Sequence, residues 1–270
     1  MIITKQFPDK KGLYLGIVLL GFGLSPLISA PILQGLITQF DLHSTFLMMS
    51  GFSLVALLLL SLFFSKYTTK ESNDRLEPFK ETLKKPQFKL LYGVFFIGTF
   101  IGLTVIGFSS IYAFEVFNYS LREAAFFVSL FAIFNGMGRV VFGYLTDKFS
   151  LHNIMFLSFG LLLITSIVIV FFSNSLGVFI VSFSLIWMNL GGWLAIAPAA
   201  TSKLFGQQSY TRNYGVLFSA YGMSAILGVY IAGLFSDLLG GYGPTFILFA
   251  LLALLGMVMT YMLKRAFLNE

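Results

Sequence analysis

The sequence predicts an all-α membrane protein with eight transmembrane helices. Composition is the first reason. Of 270 residues, 57% are hydrophobic and 10% charged, where a soluble domain carries about 25% charged, and the mean hydropathy is +0.89. The second reason is eight apolar runs, 12–38, 45–64, 90–114, 123–146, 153–172, 176–201, 213–235 and 244–263. Each approaches or exceeds the roughly 20 residues that cross a bilayer. The third is the sorting of basic residues. With both termini cytoplasmic, the inner segments hold Lys5, Lys10, Lys11, Lys66, Lys70, Arg75, Lys80, Lys84, Lys85, Lys89, Lys148, Lys203, Arg212, Lys264 and Arg265, which is 15 of the 17. Only Arg122 falls outside, and Arg139 lies within a span. This is a strong positive-inside signal. Losing one helix would scramble the alternation, so the charges also test the count. The expectation is an integral multi-pass protein of the cell inner or plasma membrane.

The first run follows a polar segment and is too long for a signal-peptide core, so it reads as a retained helix. Pro26, Pro31 and Pro198 are expected to kink their helices. After the second run comes Ser65–Lys89, with seven cations and four acids. It predicts a short amphipathic helix around Glu77–Lys85, lying along the cytoplasmic surface. Two helices precede this segment and six follow. In the third run, Tyr92 and Tyr112 sit near the ends and read as interface anchors. The sixth carries Trp187, Asn189 and Trp193, with Gly191-Gly192 expected to loosen it. The 33 Phe and 26 Gly suit packed helices in lipid.

Several function classes drop out. Zero cysteines exclude disulfides and thiolate chemistry. The net charge of +6 is accounted for by topology, so nucleic acid is not a partner; the lipid bilayer is. His43 and His152 fall in loops on opposite sides and cannot form one metal site. Glu115 and Glu123 flank an outer loop as solvated acids. There are no paired carboxylates, no Ser-His-Asp arrangement and no phosphate loop. The chain does not read as an enzyme, and no cofactor is implied.

Arg139 carries the functional signal. Ala124–Leu145 is 22 residues with this single charge. A cation there costs about 2.5–3.5 kcal/mol on insertion scales. Such a residue lines a water-filled cavity, meets an anion, or snorkels to the interface. Asn135, Gly136 and Gly143 beside it suggest a helix face turned to protein or cavity. Tyr221 and Trp193 are the other candidate contacts, each equally readable as helix packing.

An internal repeat points further. Gly16-IVLLGFGLSPLI aligns without gaps on Gly215-VLFSAYGMSAIL, pairing Gly16 with Gly215, Phe22 with Tyr221, Gly23 with Gly222 and Ser25 with Ser224. The offset spans six helices, the repeat unit of the major facilitator superfamily. Gly143-Tyr-Leu-Thr-Asp147-Lys148 resembles that superfamily's G-x-x-x-D-[RK] signature. Asp147 at the inner end of its helix can accept hydrogen bonds from a neighbouring helix N-terminus or pair with a cation. The alternative is a simple helix-end carboxylate. Within the superfamily, Phe7-Pro-Asp-Lys-Lys-Gly12, Asn135-Gly136-Met-Gly-Arg139-x-x-x-Gly143, and Asn213-Tyr214-Gly215 followed by Ala220-Tyr221-Gly222 resemble the oxalate/formate antiporter family, close to the monocarboxylate carriers. The resemblance runs over essentially the whole chain.

The resemblance implies helices five to twelve of the major facilitator fold. Residues 1–64 are then the last two helices of the N-terminal bundle, 65–89 the cytoplasmic central linker, and 90–270 the C-terminal six-helix bundle. It implies a secondary transporter of small organic anions by alternating access. Arg139 binds the carboxylate, with Asn135, Tyr221 and Trp193 beside it. Gly143, Asp147 and Lys148 form a conformational latch. Oxalate exchangers place a lysine where this chain has Tyr221, so formate-, lactate- or pyruvate-like monoanions fit better than oxalate. Monocarboxylate carriers often place an aspartate where this chain has Asn135, which cannot carry a proton. The site is expected to require N-terminal helices missing from this chain. Three other readings stay open: a truncated non-transporting fragment, an eight-helix assembly partner, and a major facilitator carrier of a neutral solute or drug.

Overall fold

The structure is a computed structural model that describes residues 11–64, 79–239 and 241–268. The described residues form nine helices and no strand. They are α1 (Lys11–Phe40), α2 (Leu42–Phe64), α3 (Phe79–Lys84), α4 (Pro86–Phe117), α5 (Leu121–Lys148), α6 (Leu151–Phe171), α7 (Leu176–Phe205), α8 (Tyr210–Leu239) and α9 (Gly243–Leu268). Every apolar run coincides with a helix whose ends lie within a few residues of it. Seven helices, α2 and α4–α9, are long and apolar enough to cross a membrane; α1 adds a shorter described apolar stretch, Gly12–Ser25. The amphipathic segment expected around Glu77–Lys85 emerges as α3, while residues 65–78 lie outside the described residues, as do 1–10.

The helix ends follow from local chemistry. Ser120 and Glu123 form a capping box at the start of α5, and Ser150 and Ser175 accept from backbone N–H groups at the starts of α6 and α7. Each removes an orphan donor of a first turn. Asn118 closes α4 in the left-handed region at φ 55°, which Asn tolerates.

Two compact units result: Met1–Leu24 with Leu76–Glu270, and Ser25–Arg75. In the smaller unit, Asp41 joins α1 to α2 at φ 73°. Its carboxylate accepts from Ser44 N at 2.8 Å. Side chains of α2 point almost wholly outward.

In the larger unit the six long helices pair in a pattern that survives exchanging α4, α5, α6 with α7, α8, α9. The extensive α5–α7 contact maps onto α4–α8, α4–α9 onto α6–α7, and α4–α5 onto α7–α8; α4–α7 and α6–α9 map onto themselves. The two three-helix triplets are thus equivalent in their contacts. The most buried spans are α7 and α4. Phe108, Tyr112, Phe131, Phe179, Phe183 and Phe246 form an aromatic cluster, as in the Phe179–Phe183 pair with ring centres 4.6 Å apart.

Buried polar side chains tie the helices together, as they must where no water can satisfy them. Ser158 Oγ donates to Asn189 Oδ1 at 2.8 Å, and Asn189 Nδ2 donates to the Ser158 carbonyl at 2.9 Å. Trp187 Nε1 donates to Ser109 Oγ at 3.1 Å, and the Thr99 and Ser224 hydroxyls meet at 2.9 Å.

Two expectations change here. Tyr112 is 2% exposed and stacks on Phe179 while donating to the Ser173 carbonyl, so it belongs to the core and not to an interface belt. The Gly191-Gly192 pair does not loosen α7, which runs unbroken through Pro198. A Cβ on Gly191 would strike the Asn135 carbonyl, and one on Gly192 would strike the Phe142 ring. These glycines permit close packing.

Candidate functional site

Arg139 lies on α5 facing the first part of α1, and is 2% exposed. Glycines create this proximity. Cβ atoms on Gly12 and Gly143 would each strike the other's carbonyl, and one on Gly16 would strike the Arg139 carbonyl. Gly23 packs on the Gly136 backbone. Five glycines therefore let two backbones touch along a shared stripe.

The guanidinium has three uncharged neighbours. Nη1 donates to the Leu19 carbonyl at 2.5 Å, and Nη2 donates to Asn135 Oδ1 at 3.2 Å. The Phe22 ring lies 4.7 Å from Cζ, within cation–π range. Nε is buried and has no hydrogen-bond partner among the described residues. Next to it is Gly23, where a Cβ would lie 3.2 Å from both Nε and Cζ. Among the described residues, no carboxylate pairs with Arg139.

Asn135 is itself held. Its Nδ2 donates to the Trp187 carbonyl on α7 at 3.0 Å. That fixes the amide so its oxygen faces the guanidinium, one helical turn away. On the same α5–α7 contact, Gly138 packs against the Met188 carbonyl. The α7 backbone thus sets the position of both Asn135 and Arg139.

Tyr221 on α8 stacks on Phe218, with ring centres 5.1 Å apart. The row continues through Tyr214 to Tyr210. Tyr214 and Tyr221 flank Phe218 on one face of α8. Trp193 sits elsewhere: its ring packs on Phe159 and Phe95, and its indole covers Gly98. That is the α4–α6 side of α7, opposite the Asn135 contact.

The inner end of α5 carries Asp147. Its two carboxylate oxygens accept from Gly12 N at 2.8 Å and Leu13 N at 2.9 Å. These amides lie in the first described turn of α1, and a helix N-terminus favours a negative charge. Lys148 lies over the Tyr144 ring, its Nζ 4.7 Å from the centre. Lys203 on α7 donates to the Thr146 carbonyl at 2.5 Å. Among the described residues, no cluster of His, Cys, Asp and Glu could hold a metal.

Sequence reasoning had singled out Arg139, Asn135, Gly143 and Asp147. It missed Leu19 and Phe22 as neighbours of Arg139, because a backbone carbonyl leaves no mark in a sequence. It also missed Tyr214. The i, i+4 spacing of Tyr210, Tyr214 and Phe218 was the available signal for that row.

The chain has known relatives. Residues 1–202 match the model of the Major Facilitator Superfamily. The oxalate:formate antiporter of Oxalobacter formigenes is 28% identical over 83% of this chain and 55% of its own length. Monocarboxylate transporter 12 of Homo sapiens is 25% identical over 92% of this chain and 55% of its own. The chain spans about half the length of the curated relatives it matches. A bacterial homologue of the iron transporter ferroportin, solved in an outward-facing state, superposes with a TM-score of 0.66 at 19% identity, over 95% of this chain and 65% of that one; that likeness speaks to fold alone. The two sequence relatives named are, by their descriptions, an oxalate:formate antiporter and a monocarboxylate transporter. With a family model matching three quarters of its length, this integral multi-pass membrane protein belongs to the Major Facilitator Superfamily.

Proposed function

We propose that this chain supplies the larger part of a secondary carrier in which Arg139 binds the carboxylate of a small organic monoanion during alternating access. The observation that carries this is the state of the guanidinium. It is buried in a membrane span among uncharged partners, with Nε–H unpartnered among the described residues, beside the side-chain-free Gly23. An uncompensated cation in such a place is expensive. A carboxylate offers it two charge-assisted hydrogen bonds.

The chemistry of the neighbours narrows the substrate. Tyr221 and Tyr214 can each donate one hydrogen bond but neither balances a second negative charge. Formate-, lactate- or pyruvate-like anions therefore suit the site better than oxalate. Asn135 orients the guanidinium and cannot take up a transported proton. Trp193 in this reading supports the helix packing behind the site.

The finer topology belongs to the same proposal. The chain crosses the membrane eight times, as helices five to twelve, with both termini cytoplasmic. Residues 1–64 complete one bundle, 65–89 link, and 90–270 form the other. Gly143, Asp147 and Lys148 form a latch between α5 and α1. The relatives extend beyond the matched part, and the cavity around Arg139 is completed by helices equivalent to their additional ones.

The test is radiolabelled formate, lactate and oxalate uptake in proteoliposomes, using the carrier with its full set of helices. Arg139→Ala should abolish uptake, and Arg139→Lys, which keeps the charge but loses the planar fork, should impair it. Unchanged uptake in both variants would sink the assignment.

A further inference from the structure

The partner that Arg139 holds is informative in itself. Leu19 lies inside the continuous helix α1, where its carbonyl is already the regular acceptor for the N–H four residues on. The guanidinium is thus a second donor to an oxygen in use. A carboxylate would outdo it, because it offers a full opposite charge and two parallel N–H···O bonds where this carbonyl offers one neutral oxygen. Yet everything around it is shaped to allow it. Gly23 leaves room for Cζ and Nε, Gly23 and Gly136 bring the backbones together, and Phe22 covers the cation. All these α1 groups lie within one helical turn.

We infer that the Leu19 carbonyl is a built-in stand-in for the substrate carboxylate, so that α1 and the substrate compete for the same guanidinium. This rests on the proposed binding role of Arg139 and adds how binding is coupled to movement. When the substrate takes Nη1, the Leu19 contact is lost and α1 is released from α5 at that level. Asp147 still holds Gly12 and Leu13, about 12 Å further along α5 at 1.5 Å per residue. The substrate therefore frees one of two attachments and leaves the other as a pivot. Gly23 and Phe22 are positioning residues in this scheme: they act through the guanidinium and need no contact with the substrate.

The test uses the carrier with its full set of helices; these 270 residues hold no cysteine, and any elsewhere are first replaced by serine, so that two introduced cysteines are the only thiols. Val18→Cys on α1 and Met137→Cys on α5, both exposed, are spin-labelled in nanodiscs, and their distance distribution is recorded. Binding of radiolabelled lactate is measured on the same samples. Lactate should deplete the short-distance population, while neutral lactamide should not. Arg139→Gln should show the longer distance from the start, bind no lactate and respond to neither compound. Phe22→Leu should keep Arg139-dependent binding but shift the unliganded distribution toward the longer distance. A fold defect alone would move binding and distance together in every variant. If lactate binds in an Arg139-dependent manner while the distribution stays fixed, the competition is refuted and the binding role survives. If no carboxylate binds through Arg139, both fall.

Discussion

Asn135 is a small residue in a demanding position, since its carbonyl group faces a cation and its amide group is tied to α7. Asn135→Ala removes the Nη2 acceptor and frees the guanidinium to rotate. Hydrogen bonds to charged groups contribute about 1.5–3 kcal/mol, so the KM for a monocarboxylate should rise about 10- to 100-fold. Uptake kinetics measure this directly, and an unchanged KM would mean that α1 alone orients Arg139. Asn135→Asp makes a sharper test. The new carboxylate would pair with Arg139 when ionised and compete with the substrate. Protonation at low pH would remove that competition, so uptake should acquire a pH dependence and increase as pH falls. A flat profile would mean that position 135 does not share the guanidinium with the substrate. Arg139 and Asn135 were legible in the sequence because a charge and an amide one turn apart stand out in an apolar run. Leu19 was not, because its contribution is a main-chain oxygen that any residue would supply.

Between helices, glycine sets the distance. Gly138 lies on the Met188 carbonyl and Gly191 on the Asn135 carbonyl, so α5 and α7 meet backbone to backbone at two points. A methyl group at either point has nowhere to go except by separating the helices. Gly138→Ala and Gly191→Ala should each lower the thermal midpoint in detergent by several degrees, consistent with overpacking costs of about 1–3 kcal/mol. Gly215 and Gly222 are the counterpoint. The repeat aligned them with Gly16 and Gly23, yet nothing described lies within 4 Å of their would-be Cβ atoms. In this 270-residue chain, Gly215→Ala and Gly222→Ala should be tolerated or stabilise α8 by up to about 1 kcal/mol through helix propensity. Comparable losses at all four glycines would contradict the packing described. The sequence carried the likeness of these stretches but not its use: which glycine receives a neighbour depends on what stands beside its helix. The same limit explains the Gly191-Gly192 pair, which looks like a weak point in one dimension and is a contact surface in three.

For the molecule as a whole, the proposed orientation puts the α6–α7 connection outside the cell and the α7–α8 connection inside. Impermeant thiol reagent added to intact cells should modify Asn174→Cys and spare Gln208→Cys, with the reverse in inverted vesicles. The opposite pattern would overturn the charge-based orientation. The helices themselves were readable because each is a long apolar run with polar ends, and lipid admits few other structures. Their partners were not. No local pattern says that α6 packs on α9 or α5 on α7, since lipid-facing and helix-facing apolar residues look alike in a sequence where both faces must be greasy.

That exchange-symmetric pairing bears on how the chain is made. The first triplet, α4 to α6, finds its main partners in the second: α4 packs extensively on α8, α5 on α7, and α6 on α9. A ribosome delivers these helices in order, so α6 enters the bilayer some 90 residues before α9 exists. During that interval its inward face, with Ser158, Thr165 and Ser166, has only lipid or early neighbours against it. The last helix is therefore the keystone of assembly, and a nascent chain halted before residue 243 should be held by membrane quality control even though most of its helices are already inserted.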